Sequence, residues 1–254
     1  MNILSVALTL SLLDTHLRYR RTTLGPFWVT ISFAAFVLAV GMVYGQLFGM
    51  PEGVGPGGYI AYFAVGMLVW TFLNATISEG CTVFIQAGGL IKSVRLPVII
   101  HVYRMVARNT ILMAHNAAVI VVLWLAIQWP IGWGTLLALV GLTLCLCTLL
   151  GVVLVVAVFC TRFRDLQQVV VTLLQLTFLV TPIIWPASFI KGQPVQIMLD
   201  LNPVYYIIEV VRGPLIGEVP SATVWIVAGL IASTSSALGL ALYRRFQRRL
   251  VYWL

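Results

Sequence analysis

Seven side chains fall into two groups whose types and spacing suit anion chemistry. Arg18, Arg20 and Arg21 are nearly consecutive, and His101, Arg104, Arg108 and His115 stand at offsets of 0, 3, 7 and 14. The second series lies on one face of a helix with about 3.6 residues per turn. Guanidinium groups gathered in this way hold phosphates or carboxylates through charge-assisted hydrogen bonds. The first group reads either as an orientation signal touching anionic lipid or as the receiver of a phosphorylated lipid. The second reads either as a positively lined entrance or as an internally paired face with Glu79 as one partner.

Catalytic and metal chemistry finds little to work with. Cys81, Cys145, Cys147 and Cys160 form no C-x-x-C pair and read as small apolar packing residues, and His16, His101 and His115 lack metal-ligand spacing. The seven acidic residues are scattered, with no carboxylate and histidine placed for proton transfer, which argues against a transferase. No nucleophile elbow, H-E-x-x-H, phosphate-binding G-x-x-x-x-G-K-[ST] or charged selectivity ring is present. No cofactor or metal is expected in this chain, and any ATP it depends on must be bound by another.

The elements that position these residues are set by hydropathy. Apolar runs at roughly 27 to 48, 59 to 78, 109 to 129, 133 to 159, 166 to 186 and 223 to 243 are each long enough to cross about 30 Å of hydrocarbon as a helix. An all-α, polytopic membrane protein with six transmembrane helices follows. Thirteen of the fifteen Lys and Arg residues flank these runs on one side, leaving only Lys191 and Arg212 on the other, so both termini are expected in the cytoplasm. The net charge of +8 then needs no nucleic acid. With 61% hydrophobic and 9% charged residues the whole of 1–254 reads as one membrane domain. Residues 1–24 precede the first run with a polar, arginine-bearing segment, the wrong order for a cleavable signal peptide.

Finer patterns divide that domain into a surface helix (1–24), five spans (27–186), an outer segment (187–222) and a last span with a basic tail (223–254). Ile3, Val6, Ala7, Leu10, Leu13 and Leu17 recur at helical steps, with Asp14 and Arg18 spaced for an i,i+4 pair, which predicts an amphipathic interfacial helix. Gly25-Pro26 then turns the chain into the membrane. Gly41, Gly45 and Gly49 make a small-residue stripe for close helix packing, either within one subunit or in a homodimer seam. Residues 79–97 predict a short helix for docking on a partner or on the membrane surface. Arg164 and Asp165 form a tight turn with Asp165 favouring the next helix dipole, and Gln175 sits near mid-membrane ahead of Thr181-Pro182. The runs Ile197-Met198-Leu199 and Tyr205 to Val211 are too apolar for a solvated loop and too short to span, so short re-entrant or interfacial helices are expected. Tyr44, Phe48, Tyr59, Tyr62, Phe63, Trp185, Phe189, Tyr205 and Tyr206 read as an interfacial aromatic belt, or as rings stacking sugars if they face a lumen.

Taken in order, Arg18-Tyr-Arg-Arg-Thr-Thr-Leu-Gly-Pro-Phe-Trp28, Gly89-Leu-Ile-Lys-Ser-Val-Arg-Leu-Pro97, Phe163-Arg-Asp165, Thr181-Pro-Ile-Ile-Trp185 and Asn202-Pro-Val-Tyr-Tyr-Ile-Ile-Glu-Val-Val-Arg212 resemble the ABC-2 type permeases that export polysaccharides, O-antigen permeases above all, with capsule and teichoic-acid exporters nearby. The resemblance implies the type V exporter fold in a bacterial inner membrane. It implies a homodimer of this permease with two copies of a separate subunit that binds ATP and Mg²⁺, moving a lipid-linked polysaccharide. By the same resemblance Ile91, Lys92, Arg95 and Pro97 fall on the coupling helix, and Arg18, Arg20, Arg21, Leu24 and Gly25 on the gate that receives a lipid diphosphate. Gly41, Gly45, Gly49, Gln175, Trp185, Tyr205 and Tyr206 become candidates for the channel or its seam. The coupling segment reads Gln86-Ala87-Gly88-Gly89 where relatives often carry asparagine, a departure that bears on the partner's identity. Exporters of drugs or simple lipids share the implied fold.

Overall fold

A computed structural model describes residues 3–19, 25, 27–48, 58–94, 96–130, 132–190 and 192–254. Among them every regular element is helical: α1 (Ile3–Tyr19), α2 (Phe27–Phe48), α3 (Gly58–Gly80), α4 (Val83–Gln86), α5 (Gly88–Ser93), α6 (Ile99–Ile127), α7 (Leu137–Arg162), α8 (Leu166–Val180), α9 (Gln196–Asp200), α10 (Pro203–Leu215) and α11 (Ala222–Trp253), with single 3₁₀ turns at Trp133–Leu136 and Ala187–Ile190. Five helices, α2, α3, α6, α7 (with the 3₁₀ turn before it) and α11, are long and apolar enough to cross a membrane.

The ends of these helices follow local chemistry. Gly25 takes a left-handed φ of +58°, where a side chain would be strained, and sets the corner before α2. Helix α6 begins at Ile99, well before the apolar run, and the Tyr243 hydroxyl of α11 accepts its first N–H at 3.1 Å. Helix α8 stops at Val180 because Thr181 precedes Pro182, and a residue before proline is driven out of the helical region; Thr181 is extended at φ −82°, ψ 133°. Fifteen residues give α8 about 22 Å, short of the run of 166–186 expected from hydropathy.

Lipid tails are as apolar as leucine, so helices in a bilayer are held together by close packing and buried polar links more than by hydrophobic burial. Glycines make the closest approaches. A Cβ on Gly239 would stand 2.4 Å from the Gly151 carbonyl oxygen, and one on Gly151 would lie 2.3 Å from the Ser235 carbonyl carbon, so α7 and α11 cross with their backbones touching. Ser236 donates to the Cys147 carbonyl at 2.9 Å beside that crossing. Gly141 lets α10 lie on α7 in the same way, against the Val210 carbonyl. Helix α3 is the central post, with α2, α6, α7 and α10 around it.

Two apolar cores result. The larger gathers Tyr59, Phe63, Val65, Trp70, Leu149, Ile183, Ile208 and Ile216 around α3. The smaller lies at the arginine-rich end, where Phe84, Val102, Val153, Ala157 and Leu250 join α4, α6, α7 and the end of α11.

Candidate functional site

At the arginine-rich end the short helices α4 and α5 are presented by that smaller core. Val83 and Phe84 are buried in it, and Gly88 is close enough to the Leu254 side chain (3.8 Å from a Cβ placed there) that α5 rests on the last residue of the chain. Ile91 packs partly inward, while Leu90, Lys92 and Pro97 are exposed. The expected coupling residues therefore split: Lys92 and Pro97 face out, Ile91 anchors the helix, and Arg95 lies outside the described residues. Leu90 was not singled out from sequence, although its 37% exposure adds an apolar side chain to the outward face, next to exposed Val94.

Helix α1 docks beside this surface. Its small residues Ala7 and Ser11 are buried, whereas Leu8, Leu12 and Leu13 point outward. The face laid on α6 is the one bearing Ala7, Ser11 and Asp14, and Leu13 of the expected apolar stripe points away from it. Arg104 grips both oxygens of Asp14 through Nε and one Nη, a fork matched to a carboxylate. Arg108 donates to Glu79 at 2.6 Å and approaches Asp14 at 3.7 Å, and Asn109 donates to Glu79 at 3.0 Å. The charged face of α6 is therefore paired with carboxylates of α1 and α3 around a cavity of about 180 Å³ that Gln86 and Ala87 also line. His101 is buried, and His115 sits edge-on to Phe27 with its Nδ1 2.8 Å from the Ile111 carbonyl. The side chain of Arg18 and all of Arg20, Arg21 and Leu24 lie outside the described residues; of the five expected gate residues the structure describes Gly25 and the backbone of Arg18.

At the opposite end α10 carries a buried cation. Arg212 is 1% exposed, paired with Glu209 at 2.5 Å and donating to the Pro182 carbonyl at 2.7 Å, with its guanidinium 3.9 Å from the Tyr62 ring centre. Gly66 leaves the space, since a Cβ there would stand 3.3 Å from an Arg212 nitrogen. Tyr62 also donates to the Pro182 carbonyl at 3.1 Å, and Tyr59 donates to the Ile184 carbonyl. Asn202 caps α10 by accepting from the Val204 N–H at 3.0 Å and donates to Thr181 at 2.8 Å. The bonds from Tyr59, Tyr62 and Arg212 satisfy carbonyls of the turn that follows α8. Tyr59, Tyr62 and Phe63 are buried, so for them neither the lipid belt nor the lumen reading holds. Tyr205 lines a separate cavity of about 240 Å³ with Gln196, Asp200 and Glu209, its ring 5.3 Å from that of Tyr206. Trp185 is half-buried and donates to the Leu179 carbonyl at 3.2 Å.

The glycine stripe resolves inward. A Cβ on Gly41 would meet Ile60 at 3.1 Å, and one on Gly45 would meet Tyr59 at 3.7 Å, so these two glycines seat α2 on α3 within the subunit; Gly49 lies outside the described residues. Helix α8 is different. Gln168, Thr172 and Gln175 line up one turn apart and are all exposed, beside exposed Leu173, Leu176 and Leu179. Arg164 and Asp165 are exposed at its start, and Asp165 occupies the N-cap without a capping side-chain bond, leaving only its charge to favour the dipole.

Comparison with known proteins agrees with this arrangement. The chain is 29% identical over 200 residues to the O-antigen export system permease protein RfbA of Myxococcus xanthus, covering 77% of this chain and 75% of that protein. The family model described as ABC-2 type transporter matches residues 8–216, from the docked face of α1 through the buried Arg212 to the end of α10. With that match added to the spanning helices, the chain belongs to the ABC-2 type transporter family.

Proposed function

We propose that this chain is the permease half of an ATP-driven exporter that moves a lipid-linked polysaccharide, O-antigen-like in class, across a bacterial inner membrane. The similarity to a permease named for O-antigen export carries the reading. In it two copies of the chain form the pathway, and a separate ATP-binding subunit, which holds ATP and Mg²⁺, docks on Leu90, Lys92 and Pro97 of the α5 surface and on Arg164 and Asp165 of the turn before α8. Arg18, Arg20 and Arg21 receive the diphosphate of the lipid carrier, an anion best held by guanidinium forks.

Six crossings complete the topology. Helix α8 and the extended turn through Trp185 together serve as the fifth, because an odd number would separate the arginine-rich tail from the other basic segments and violate the charge bias. Both termini are then cytoplasmic, and α9 and α10 enter the outer leaflet and return. Gln168, Thr172 and Gln175 support a hydrated seam between the two copies, since a row of exposed amides and hydroxyls is costly against hydrocarbon. Rings of Trp185, Tyr205 and Tyr206 offer faces to sugars at the exit.

The test is to purify the chain with its ATP-binding partner and measure ATP turnover with and without glycan linked to undecaprenyl diphosphate. Stimulation by the glycan is expected, and Arg20→Ala with Arg21→Ala should reduce it several-fold while the complex stays assembled. A stable complex that ignores the glycan would point to a drug or simple-lipid exporter instead.

A further inference from the structure

We propose that the cleft between the arginine-rich ends of α7 and α11 is a binding site for the headgroup of an anionic glycerophospholipid. The cleft is about 330 Å³ and is lined by Val158, Phe159, Arg162, Phe163, Phe246, Arg249 and Trp253. That volume falls within the usual range for small-ligand sites, roughly 300–1,000 Å³. Its chemistry is split in the way a lipid headgroup is split. One wall is aromatic and aliphatic, with Phe159 and Phe163 at 40% and 52% exposure, and the rim carries two guanidinium groups.

The two cations are available. Among the described residues neither Arg162 nor Arg249 makes an ion pair, in contrast to Arg104, Arg108 and Arg212, each of which is matched by a carboxylate. Arg162 lies over two rings at cation–π distance, 5.6 Å from the Trp253 centre and 5.8 Å from that of Phe163. A cation over ring faces keeps all its N–H donors, and the exposed Arg162 side chain has them free to fork onto a phosphate. Trp253 is itself steadied by Phe246 at 5.7 Å between ring centres.

The depth also fits. From the Gly151–Gly239 crossing, Arg162 and Arg249 both lie about 15 Å further along their helices, at 1.5 Å per residue. On α7 apolar sequence ends at Thr161, beside Arg162, the level where phosphodiesters sit and basic pockets between helices collect acidic lipids; on α11 it ends at Tyr243, and the helix carries Arg249 about 9 Å further, to the rim of the cleft. The phosphate bridges Arg162 and Arg249 while the upper acyl chain lies on Phe159 and Phe163. This site is separate from Arg18–Arg21 and depends only on the chain being embedded in a membrane, so it stands or falls independently of the exported cargo.

Native mass spectrometry of the full chain in detergent, titrated with phosphatidylglycerol and with phosphatidylcholine of the same acyl chains, tests it. Phosphatidylglycerol is expected to remain bound where phosphatidylcholine is lost, and Arg162→Gln with Arg249→Gln is expected to weaken it about tenfold, the loss of one charge-assisted hydrogen bond or more. Arg162→Lys with Arg249→Lys keeps the charge and removes the fork, giving a smaller loss in a chain that keeps its rim charges should the glutamine variant fail to fold. Arg244→Gln with Arg248→Gln, exposed on the same helix but outside the cleft, should change little. Equal losses from the two glutamine pairs, or none from the cleft pair, would overturn the site, as would an ATP-binding subunit that is released by the cleft pair while lipid retention stays unchanged.

Discussion

Arg212 shows how much a single side chain holds. Its guanidinium ties α10 to the turn after α8 through Pro182 and to α3 through Tyr62, with Glu209 as counter-ion. Removing one partner of a buried pair leaves the other uncompensated, at a cost of about 3–5 kcal/mol. Arg212→Met is therefore expected to lower the thermal unfolding midpoint in detergent sharply, and Glu209→Gln added to it should recover part of the loss. Equal stability of Arg212→Met and the parent would exclude the hub. This role was not legible beforehand, because hydropathy places Arg212 in an outer segment as an ordinary stray cation. Only the fold brings Gly66 and Tyr62 to it across more than a hundred residues of chain, and the Pro182 carbonyl across thirty. Glu79 with Arg108 was legible, since the helical period puts Arg108 on a charged face that cannot meet lipid.

Among the elements, spans were readable because a bilayer demands long apolar runs, and α2, α3 and α7 begin and end within a few residues of expectation. The short α8 was readable too late, for hydropathy carried it across Thr181-Pro182 although proline chemistry ends it there. Glycine marks close approach without naming the neighbour, so Gly41 and Gly45 fitted a seam between copies until Ile60 and Tyr59 were seen against them. The tighter crossing of Gly151 with Gly239 has no repeating motif and went unseen. Gly239→Val should force α7 and α11 apart and cost at least about 1–3 kcal/mol of overpacking, measurable as a lower unfolding midpoint. Gly229→Val, where a Cβ meets nothing within 4 Å, is the matched control and should be near neutral.

For the whole molecule, the decisive surface is the one a single copy leaves open. Gln175 sits on α8 among exposed leucines, and the homodimer proposed above, if joined there, brings two copies of this position together. Gln175→Cys in a background with the exposed Cys147 changed to serine is expected to form a covalent dimer on oxidation in native membranes, seen on a gel at twice 28.0 kDa. Val122→Cys, exposed on α6 and remote from that row, should stay monomeric; dimer from both, or from neither, would remove α8 from the seam.

The crossing of α7 and α11 also dictates an order of manufacture. Helix α7 enters the bilayer while some seventy residues that precede α11's crossing point are still to be made, so its bare glycine backbone waits against lipid for a partner not yet synthesised. This backbone-to-backbone joint is thus among the last to close. A chain interrupted between the end of α8 and Gly239 keeps most of its hydrophobic helices yet lacks the clasp, and reaches the membrane's proteases as an unfinished bundle rather than a shortened transporter.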